Sequence, residues 1–372
     1  MNKNILYYLW LAESFSYGSV KPIQIATNVT DWNDFYENLY EKADEYGLTD
    51  KQLKKLRKSV PSDYLKIVNK CKKLNISITC FDDENYPEKL KHIESAPLVL
   101  YYVGDISVVN KPSAAVVGTR KADSYGLGVA KKIAEDLVNC GITVVSGCAE
   151  GIDMRAHVGA TSCKGKTVAV LGTSLEKDYP SGSGKLKRSI IDCGGAVVSE
   201  YAPGTDTAPW LFPVRNRLIV GMSDSVVVVQ SPKKSGAMIT AGIACEYGKE
   251  VFCVPPSNIF DSRNDGIKKC LRDGANLLLD IDDILETYRF SNYVVPKNVA
   301  KKDILKTNEL LENKISNIPT HLEKLFESVD INKDLDQLSE ELKISIDKLL
   351  PMLTELEIMG FIEKSGLNYK KT

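Results

Sequence analysis

The residues of this chain that could bind a charged ligand are concentrated in four short segments that contain glycine, three of which also carry arginine or lysine. The first contains Gly118, Thr119 and Arg120, which follow the apolar run AAVV and precede a predicted helix. A helix start offers free backbone N–H groups and the positive end of the helix dipole, and an arginine adds a fixed cation, so this arrangement suits a phosphate. An ordinary turn with a solvated arginine fits the same residues. The dinucleotide fingerprint G-x-G-x-x-G is absent.

The second and fourth segments also place glycines at predicted helix starts. In SGCAEGID, Gly147 frames a tight turn. We expect Asp153 to support that turn and His157 to be a core histidine rather than a catalyst. In KKSGAMITAG, Ser235 and Gly236 open a helix after a strand, so its first backbone N–H groups are available to a ligand.

The third segment, TSLEKDYPSGSGKLKR, combines Tyr179 with Lys177 and Lys185. An aromatic ring beside cations suits a stacked nucleic-acid base with a neighbouring phosphate. A solvated basic helix start is the alternative.

A further block, FPVRNR, accompanies the fourth segment, and its Arg215, Asn216 and Arg217 stand just before a predicted apolar helix. Two arginines flanking an asparagine are unusual for simple packing, so we interpret them as part of the same binding surface.

Signatures of catalysis are missing from the sequence. There is no G-x-S-x-G or H-E-x-x-H motif, and the three histidines make a histidine-based metal site improbable. The segment GATSCKGKT resembles a Walker A loop but has one residue too many between its glycines and precedes a strand, so we interpret it as a turn. We therefore expect no enzyme, no cofactor and no metal.

The bulk composition is that of a cytoplasmic globular protein of two or three domains. The chain has 372 residues, 43% of them hydrophobic, a net charge of −1 and nine cysteines. A nucleic-acid site must then be a local basic patch, and the cysteines are interpreted as buried, reduced thiols. The opening MNKNILYYLWLAESF is interpreted as an amphipathic helix rather than a signal peptide, and no apolar run is long enough for a membrane span.

Hydrophobic periodicity divides the chain into four parts. Residues 1–75 are predicted to be helical, and in 76–290 short β-branched runs alternate with helical stretches, which predicts a parallel sheet covered on both faces. Loops at the carboxyl ends of such strands meet at one edge of the sheet, so the four segments should converge there. Residues 291–318 are predicted to be a polar linker, and 319–372 to be a winged helix of helices followed by a hairpin.

Taken together, the segments resemble the DprA/Smf family of DNA-processing proteins. The resemblance is carried by ordered blocks over most of the chain: DDENYPEKLKHIESAPLVLYYVGD, VVGTRKADSYG, VVSGCAEGIDMRAH, KTVAVLGTSLEKDYP, VVSEYAPG, FPVRNRLIVGMSDSVVVVQ, SGAMITAGIACEYGKEVFCVP and DGIKKCLRDGA. It implies an N-terminal sterile-alpha-motif-like (SAM-like) helical domain, an extended Rossmann-like core and a C-terminal winged helix. It also implies sequence-independent binding and protection of single-stranded DNA, homodimerisation, and transfer of the DNA to the RecA recombinase during natural transformation, with no enzymatic step. By motif, Gly118, Thr119 and Arg120 match the family's Gly-Ser-Arg DNA contact, Arg215, Asn216 and Arg217 its Arg-Asn-Arg block, and Ser235 and Gly236 its Ser-Gly turn.

The chain departs from the family pattern at three places. Thr119 replaces the usual serine and keeps the hydroxyl group. A Ser-Gly-Ser-Gly stretch stands where many members carry a basic residue and an asparagine, so the cation must come from Lys177 or Lys185. Pro256 replaces a glycine after the EVF strand, which fixes that backbone dihedral angle φ near −65°.

Two rival functions would use the same surface. One is a nucleotide enzyme related to phosphoribohydrolases, but the glutamate of their Pro-Gly-Gly-x-Gly-Thr-x-x-Glu loop is missing here, which argues against it. The other is a small-nucleotide sensor.

Overall fold

The structure is a computed structural model that describes residues 2–289, 319, 321–329, 334–358, 361–365 and 368–371. The chain divides into two compact units, Met1–Pro296 and Lys297–Thr372. Each unit is described by itself. The predicted linker, 291–318, lies outside the described residues.

The first unit begins with helices. Local capping fixes several of their starts: the Asp31 carboxylate accepts hydrogen bonds from the N–H groups of Asn33 and Asp34, and Thr49 and Gln52 form a capping box. Their apolar side chains join those of one sheet face in a single hydrophobic core. The helices are α1 (Ile5–Ser14), α2 (Lys21–Ala26), α3 (Trp32–Glu37), α4 (Asp50–Leu56) and α5 (Leu65–Lys73), with a 3₁₀ turn at Pro61–Tyr64.

A nine-stranded sheet forms the centre of this unit. Its strand order is β1-β2-β6-β5-β4-β3-β7-β8-β9. The predicted parallel sheet is confirmed for the seven strands from β6 to β9 in this order, and β1 and β2 extend it as an antiparallel edge next to β6. The strands are β1 (Ser77–Cys80), β2 (Val99–Gly104), β3 (Ser113–Val117), β4 (Thr143–Ser146), β5 (Thr167–Val170), β6 (Ala196–Ser199), β7 (Ser225–Val228), β8 (Glu250–Cys253) and β9 (Asn276–Leu277).

Both faces of the sheet are covered, as the continuous valine-rich runs predict. Helices α6, α7 and α12 pack on one face, and α9 and α10 with the N-terminal helices pack on the other. Strands β3 to β7 are buried along their whole length. The helices are α6 (Ser124–Asn139), α7 (Ile152–Ser162), α8 (Gly184–Asp192), α9 (Leu211–Gly221), α10 (Gly236–Glu246), α11 (Asp265–Arg272) and α12 (Ile281–Arg289), and 3₁₀ turns lie at Glu88–His92, Ile106–Asn110 and Ser262–Asn264.

The connections around β3 define where a ligand can bind. From β3 the chain proceeds outward through β4, β5 and β6, and then returns to pair β7 with the other side of β3. The loops after β3 and β7 therefore part from each other at the carboxyl edge of the sheet. Ligands of open α/β sheets bind at such a switch point, so the topology assigns the same edge that the four glycine-rich segments indicate.

The second unit has a small core of its own. Helices α13 (Glu323–Ser328), α14 (Leu335–Leu342) and α15 (Ile346–Ile358) are followed by an antiparallel pair, β10 (Ile362–Ser365) and β11 (Asn368–Lys371). A capping box between Asp334 and Gln337 starts α14, and Lys343 in the left-handed conformation ends it. Among the described residues, the core is formed by leucines of these helices together with Ile362 and Tyr369.

Three sequence expectations need correction or completion. FPVRNR does not precede a helix; its residues lie within α9. All nine cysteines are free thiols, but Cys163 and Cys245 are exposed and Cys193 is only half-buried. The Walker-like segment was interpreted as a turn, but its residues 159–162 belong to α7; the rest leads into β5, so the segment precedes a strand as expected. Within the described ranges, no helix has the length and apolar character needed to cross a membrane.

Candidate nucleic-acid interface

Glycines allow the loops after β3 and β4 to touch at the carboxyl edge of the sheet. A Cβ atom added at Gly118 would lie 2.5 Å from Cγ1 of Ile152. Gly151 has φ +83°, and a Cβ there would lie 2.4 Å from the carbonyl oxygen of Thr119. The Thr119 N–H donates to the carbonyl oxygen of Gln230, at 2.7 Å, which ties the same turn to the end of β7. The Gly-Thr-Arg turn is thus held on both sides.

Arg120 projects from this turn into solvent and packs against two aromatic rings. Its guanidinium carbon lies 5.4 Å from the centre of the Phe212 ring, and Nη1 lies 3.4 Å from the Tyr179 hydroxyl oxygen. The Tyr179 and Phe212 rings are themselves 5.1 Å apart, centre to centre. We call Arg120, Tyr179 and Phe212 the rim cluster. It brings together the loop after β3, the loop after β5 and the start of α9, and it presents a cation beside half-buried rings.

Phe212 was not among the residues predicted to form the site. It belongs to the FPVRNR block, in which the arginines were predicted to bind because charged groups are the usual phosphate ligands. Its position two residues into α9 puts it beside a loop more than thirty residues earlier in the chain. No local pattern indicates that meeting.

The lysines of the third segment differ in their surroundings. Lys185 is exposed on the first turn of α8, and Lys177 is half-buried. The ammonium group of Lys187 donates to the carbonyl oxygen of Lys177 at 3.1 Å, and burial lowers the Lys187 pKa. The Asp178 carboxylate accepts from the Gly182 N–H at 3.0 Å, which orders the Ser-Gly-Ser-Gly turn. Lys185 is therefore the more accessible of the two cations proposed for this loop.

Arg215 lies inside the protein, only 4% exposed. Its Nη1 donates to the carbonyl oxygens of Gly147, at 2.8 Å, and of Val170, and its Nε donates to the Asn216 side-chain oxygen at 3.3 Å. The Asp153 carboxylate accepts from the Gly147 N–H at 3.2 Å, and burial raises the Asp153 pKa to about 6 against the opposing charge of Arg215. Asp153 thus binds the backbone N–H of Gly147 and Arg215 binds its carbonyl oxygen, so Asp153 supports the turn as expected.

The other two residues of the Arg-Asn-Arg block are also turned inward. Arg217 forms a buried ion pair with Glu200, with 2.7 Å between Nη2 and Oε1, and the Asn216 amide donates to the carbonyl oxygen of Gly236 at 3.2 Å. The sequence predicted that Arg215, Asn216 and Arg217 form part of the binding surface. In the structure, all three side chains instead bind protein groups, so this prediction is corrected. The physical reason is their place in the middle of α9, between the sheet and α10, where charge is tolerated only with buried partners.

Ser235 and Gly236 start α10 as predicted. The Ser235 hydroxyl accepts from the Met238 N–H at 3.2 Å and so caps the helix, while Gly236 is exposed. Lys233 and Lys234, just before them, are both exposed. This loop therefore adds two cations to the edge of the sheet.

His157 is fully buried on α7, as expected for a core histidine. Its Nδ1 lies 2.8 Å from the Thr167 hydroxyl oxygen, and burial lowers the pKa of the ring to about 3. The ring is neutral at neutral pH and does not reach the edge of the sheet. Across the part of the chain that the structure describes, no group of three or more His, Cys, Asp or Glu residues could hold a metal ion.

The chain belongs to the family described as DNA recombination-mediator protein A, which its residues 77–289 match. It is 38% identical to the DNA processing protein DprA of Streptococcus pneumoniae over 208 residues, 56% of this chain and 73% of that protein. It is 33% identical to the protein Smf of Synechocystis over 322 residues, 78% of this chain and 79% of that protein.

Two solved structures resemble the fold at 29% sequence identity. The crystal structure of Streptococcus pneumoniae DprA matches with a TM-score of 0.57, covering 77% of this chain and 93% of that one. Helicobacter pylori DNA processing protein A, studied for its single-stranded DNA binding mode, matches with a TM-score of 0.53, covering 59% of this chain and 97% of that one. The resemblance to the DprA/Smf family is thereby confirmed.

Proposed function

We propose that this protein binds single-stranded DNA, without sequence preference, along the carboxyl edge of its sheet. The observation that supports this most directly is the rim cluster, in which the exposed Arg120 guanidinium lies over the Phe212 ring and beside the Tyr179 hydroxyl. A cation next to aromatic rings can hold a phosphate and stack a base at the same time, and it does so for any base. The single-stranded DNA binding mode of the Helicobacter pylori relative is consistent with this proposal.

Each site residue has a part in the proposed binding. Arg120 contacts a backbone phosphate, with N–H groups at the α10 start as further donors. Tyr179 and Phe212 stack a base, and Lys177 and Lys185 supply the cation that many family members place after the Tyr-Pro pair.

The buried residues act by positioning: Gly147 and Arg215 hold the loop after β4, and Asn216 and Arg217 hold α9 against Ser235, Gly236 and the sheet. Thr119 completes the turn.

Binding, rather than catalysis, is the activity we propose. Asp153 and His157 are the titratable groups of this region that could serve in acid–base catalysis, and both are buried and hydrogen-bonded to protein groups. Neither can reach a ligand at the edge without a rearrangement of the core, so a nucleotide-hydrolysing enzyme finds no support in the geometry. No cofactor is needed for the proposed role.

The family suggests the wider role. We propose that the protein protects single strands in the cytoplasm and, as a homodimer, loads the RecA recombinase onto them during natural transformation or recombination. We further propose a SAM-like domain at 1–75, the Rossmann-like DNA-binding domain at 76–290, a linker at 291–318 and a winged helix at 319–372. The helices and the antiparallel pair described between residues 323 and 371 support the last assignment.

The test is fluorescence anisotropy of a labelled oligothymidine, titrated with the protein over a range of salt concentrations. Wild type should prefer the single strand to a duplex and should weaken as salt rises, with a slope of about −0.7 per phosphate contacted. Arg120→Ala should weaken binding roughly 10- to 100-fold, the loss of one charge-assisted contact, and should make the salt slope shallower by about 0.7.

Arg272→Ala is the matched control. Arg272 is also exposed, but it ends α11, at the opposite edge of the sheet from the loops. It should leave the affinity unchanged. Failure of wild type to bind single strands at low salt would overturn the DNA proposal, and competition by a mononucleotide would then favour the sensor. Equal losses in both arginine variants would move the site away from the rim cluster.

A further inference from the structure

The loop between β8 and α11 presents two apolar side chains to solvent. Phe260 is 88% exposed and its neighbour Ile259 is 58% exposed. Leaving a phenylalanine in water forgoes the stabilisation that burial would give it, and two such residues in sequence are less common than a single one. The exposure of this pair therefore needs a reason.

The backbone of this loop is held in place while the ring projects from it. The Phe260 N–H donates to the Asn258 side-chain oxygen at 2.8 Å, and the Asn264 amide donates to the Asn258 carbonyl oxygen at 3.1 Å. The Lys268 ammonium group donates to the Ile259 carbonyl oxygen at 2.7 Å. Because three hydrogen bonds order the backbone that carries the ring, stacking on it would cost little further ordering of the backbone.

A polar network joins this loop to the rim cluster. The buried Gln230 amide donates to the Asp123 carboxylate at 2.9 Å and to the Asn264 side-chain oxygen at 3.2 Å. Gln230 also accepts the Thr119 N–H through its backbone carbonyl, and Arg263 lies 3.6 Å from the Asp123 carboxylate. The loops after β3, β7 and β8 are thus one connected surface at the carboxyl edge.

Two lysines lie between the rim cluster and the Phe260 loop. The exposed Lys233 and Lys234 belong to the loop after β7, and β7 lies between β3 and β8 in the sheet. From β5, which carries Tyr179 on its loop, to β8 there are four strand intervals, or about 19 Å at the usual spacing. A single strand of several nucleotides can cover that distance with its phosphates near the lysines.

We propose that Phe260 is a second base-stacking residue, and that a single strand held at the rim cluster continues past Lys233 and Lys234 to this ring. This inference rests on the proposed function and extends its site. The ligand is a nucleic-acid base of any type, because every base has a face that an aromatic ring can stack on.

The experiment compares oligothymidine binding by wild type, Phe260→Ala, Phe260→Trp and Tyr40→Ala. Phe260→Ala should weaken binding roughly 5- to 150-fold, the loss of one stacked base, and Phe260→Trp should retain or strengthen it. Tyr40 is the control because it is another exposed aromatic residue beside an arginine, but it lies after α3, away from the loops that follow the strands. Its substitution should have no effect.

The outcomes separate this inference from the function on which it rests. If wild type binds and Arg120→Ala weakens binding while Phe260→Ala matches wild type, the second stacking place is refuted and the rim cluster stands. If Phe260→Ala changes the oligomeric state in light scattering and leaves DNA affinity unchanged, the loop is a protein contact and the inference is equally overturned. If wild type does not bind, the proposed function fails first. Because Phe260 is exposed, its variants should keep the wild-type circular dichroism spectrum.

Discussion

Substitution of Arg217 tests whether the Arg-Asn-Arg block positions the site or touches DNA. Its guanidinium forms an ion pair with Glu200 at 2.7 Å, and the two side chains are only 8% and 10% exposed. Arg217→Met would leave the Glu200 carboxylate buried without its cation. Removal of one partner from such a pair costs about 3–5 kcal/mol in free energy of unfolding.

Tryptophan fluorescence during urea unfolding measures this loss. The three tryptophans, Trp10, Trp32 and Trp210, all belong to the first compact unit, so their signal reports on the unit that contains α9. With a dependence on urea of about 3 kcal/mol per molar, the midpoint should fall by about 1–1.7 M. The variant Glu200→Gln combined with Arg217→Met should recover part of the loss, because the unpaired charge is then gone.

DNA affinity of the folded Arg217→Met protein should stay within about twofold of wild type, since a difference that small corresponds to only a few tenths of a kcal/mol. The opposite pattern would refute this reasoning. If the urea midpoint hardly moved while oligothymidine binding collapsed, the guanidinium would have to face the DNA, and the buried pair would not describe the protein that binds.

Three further outcomes follow from the same geometry. Gly151→Ala should lower stability by about 1–3 kcal/mol and weaken DNA binding, because φ is +83° and the new Cβ would meet the Thr119 carbonyl oxygen at 2.4 Å. The control, Gly242→Ala, should instead raise the melting temperature, because its new Cβ would have nothing within 4 Å. Equal effects in both variants would contradict the close approach at Gly151. Phe212→Leu should weaken oligothymidine binding roughly 5- to 150-fold, since a base stacked on an aromatic ring contributes about 1–3 kcal/mol, and unchanged affinity would remove the ring from the site. Burial lowers the His157 pKa from 6.5 to about 3, so between these pH values the ring is protonated in the unfolded chain and neutral in the folded protein. As the pH is lowered through this range, wild type should lose about 1.4 kcal/mol of stability per pH unit more than His157→Gln does. Parallel profiles of urea midpoint against pH in the two proteins would contradict this prediction.

Much of the fold could be predicted because its signals are local. Each β-branched run bounded by glycine or serine forms a strand at the expected place, as β4 and β7 illustrate, since strand formation and turn chemistry depend on neighbouring residues. Alternation with helices then requires a parallel sheet, and a parallel sheet brings the loops to one edge. The antiparallel addition of β1 and β2 could not be read in this way, because pairing direction depends on the path of the whole chain.

The sequence by itself determined which segments meet at the carboxyl edge of the sheet and that Arg120 stands on one of them. Only the tertiary structure decided which charged side chains face solvent. Arginines are usually exposed, and nothing next to Arg215 and Arg217 in sequence indicates that Arg215 will donate to the Gly147 carbonyl oxygen in the core or that Arg217 will pair with Glu200. The same holds for the ring of Phe212 beneath Arg120. Burial and partner choice are set by contacts between distant parts of the chain, and such contacts exist only once the sheet and its covering helices have assembled.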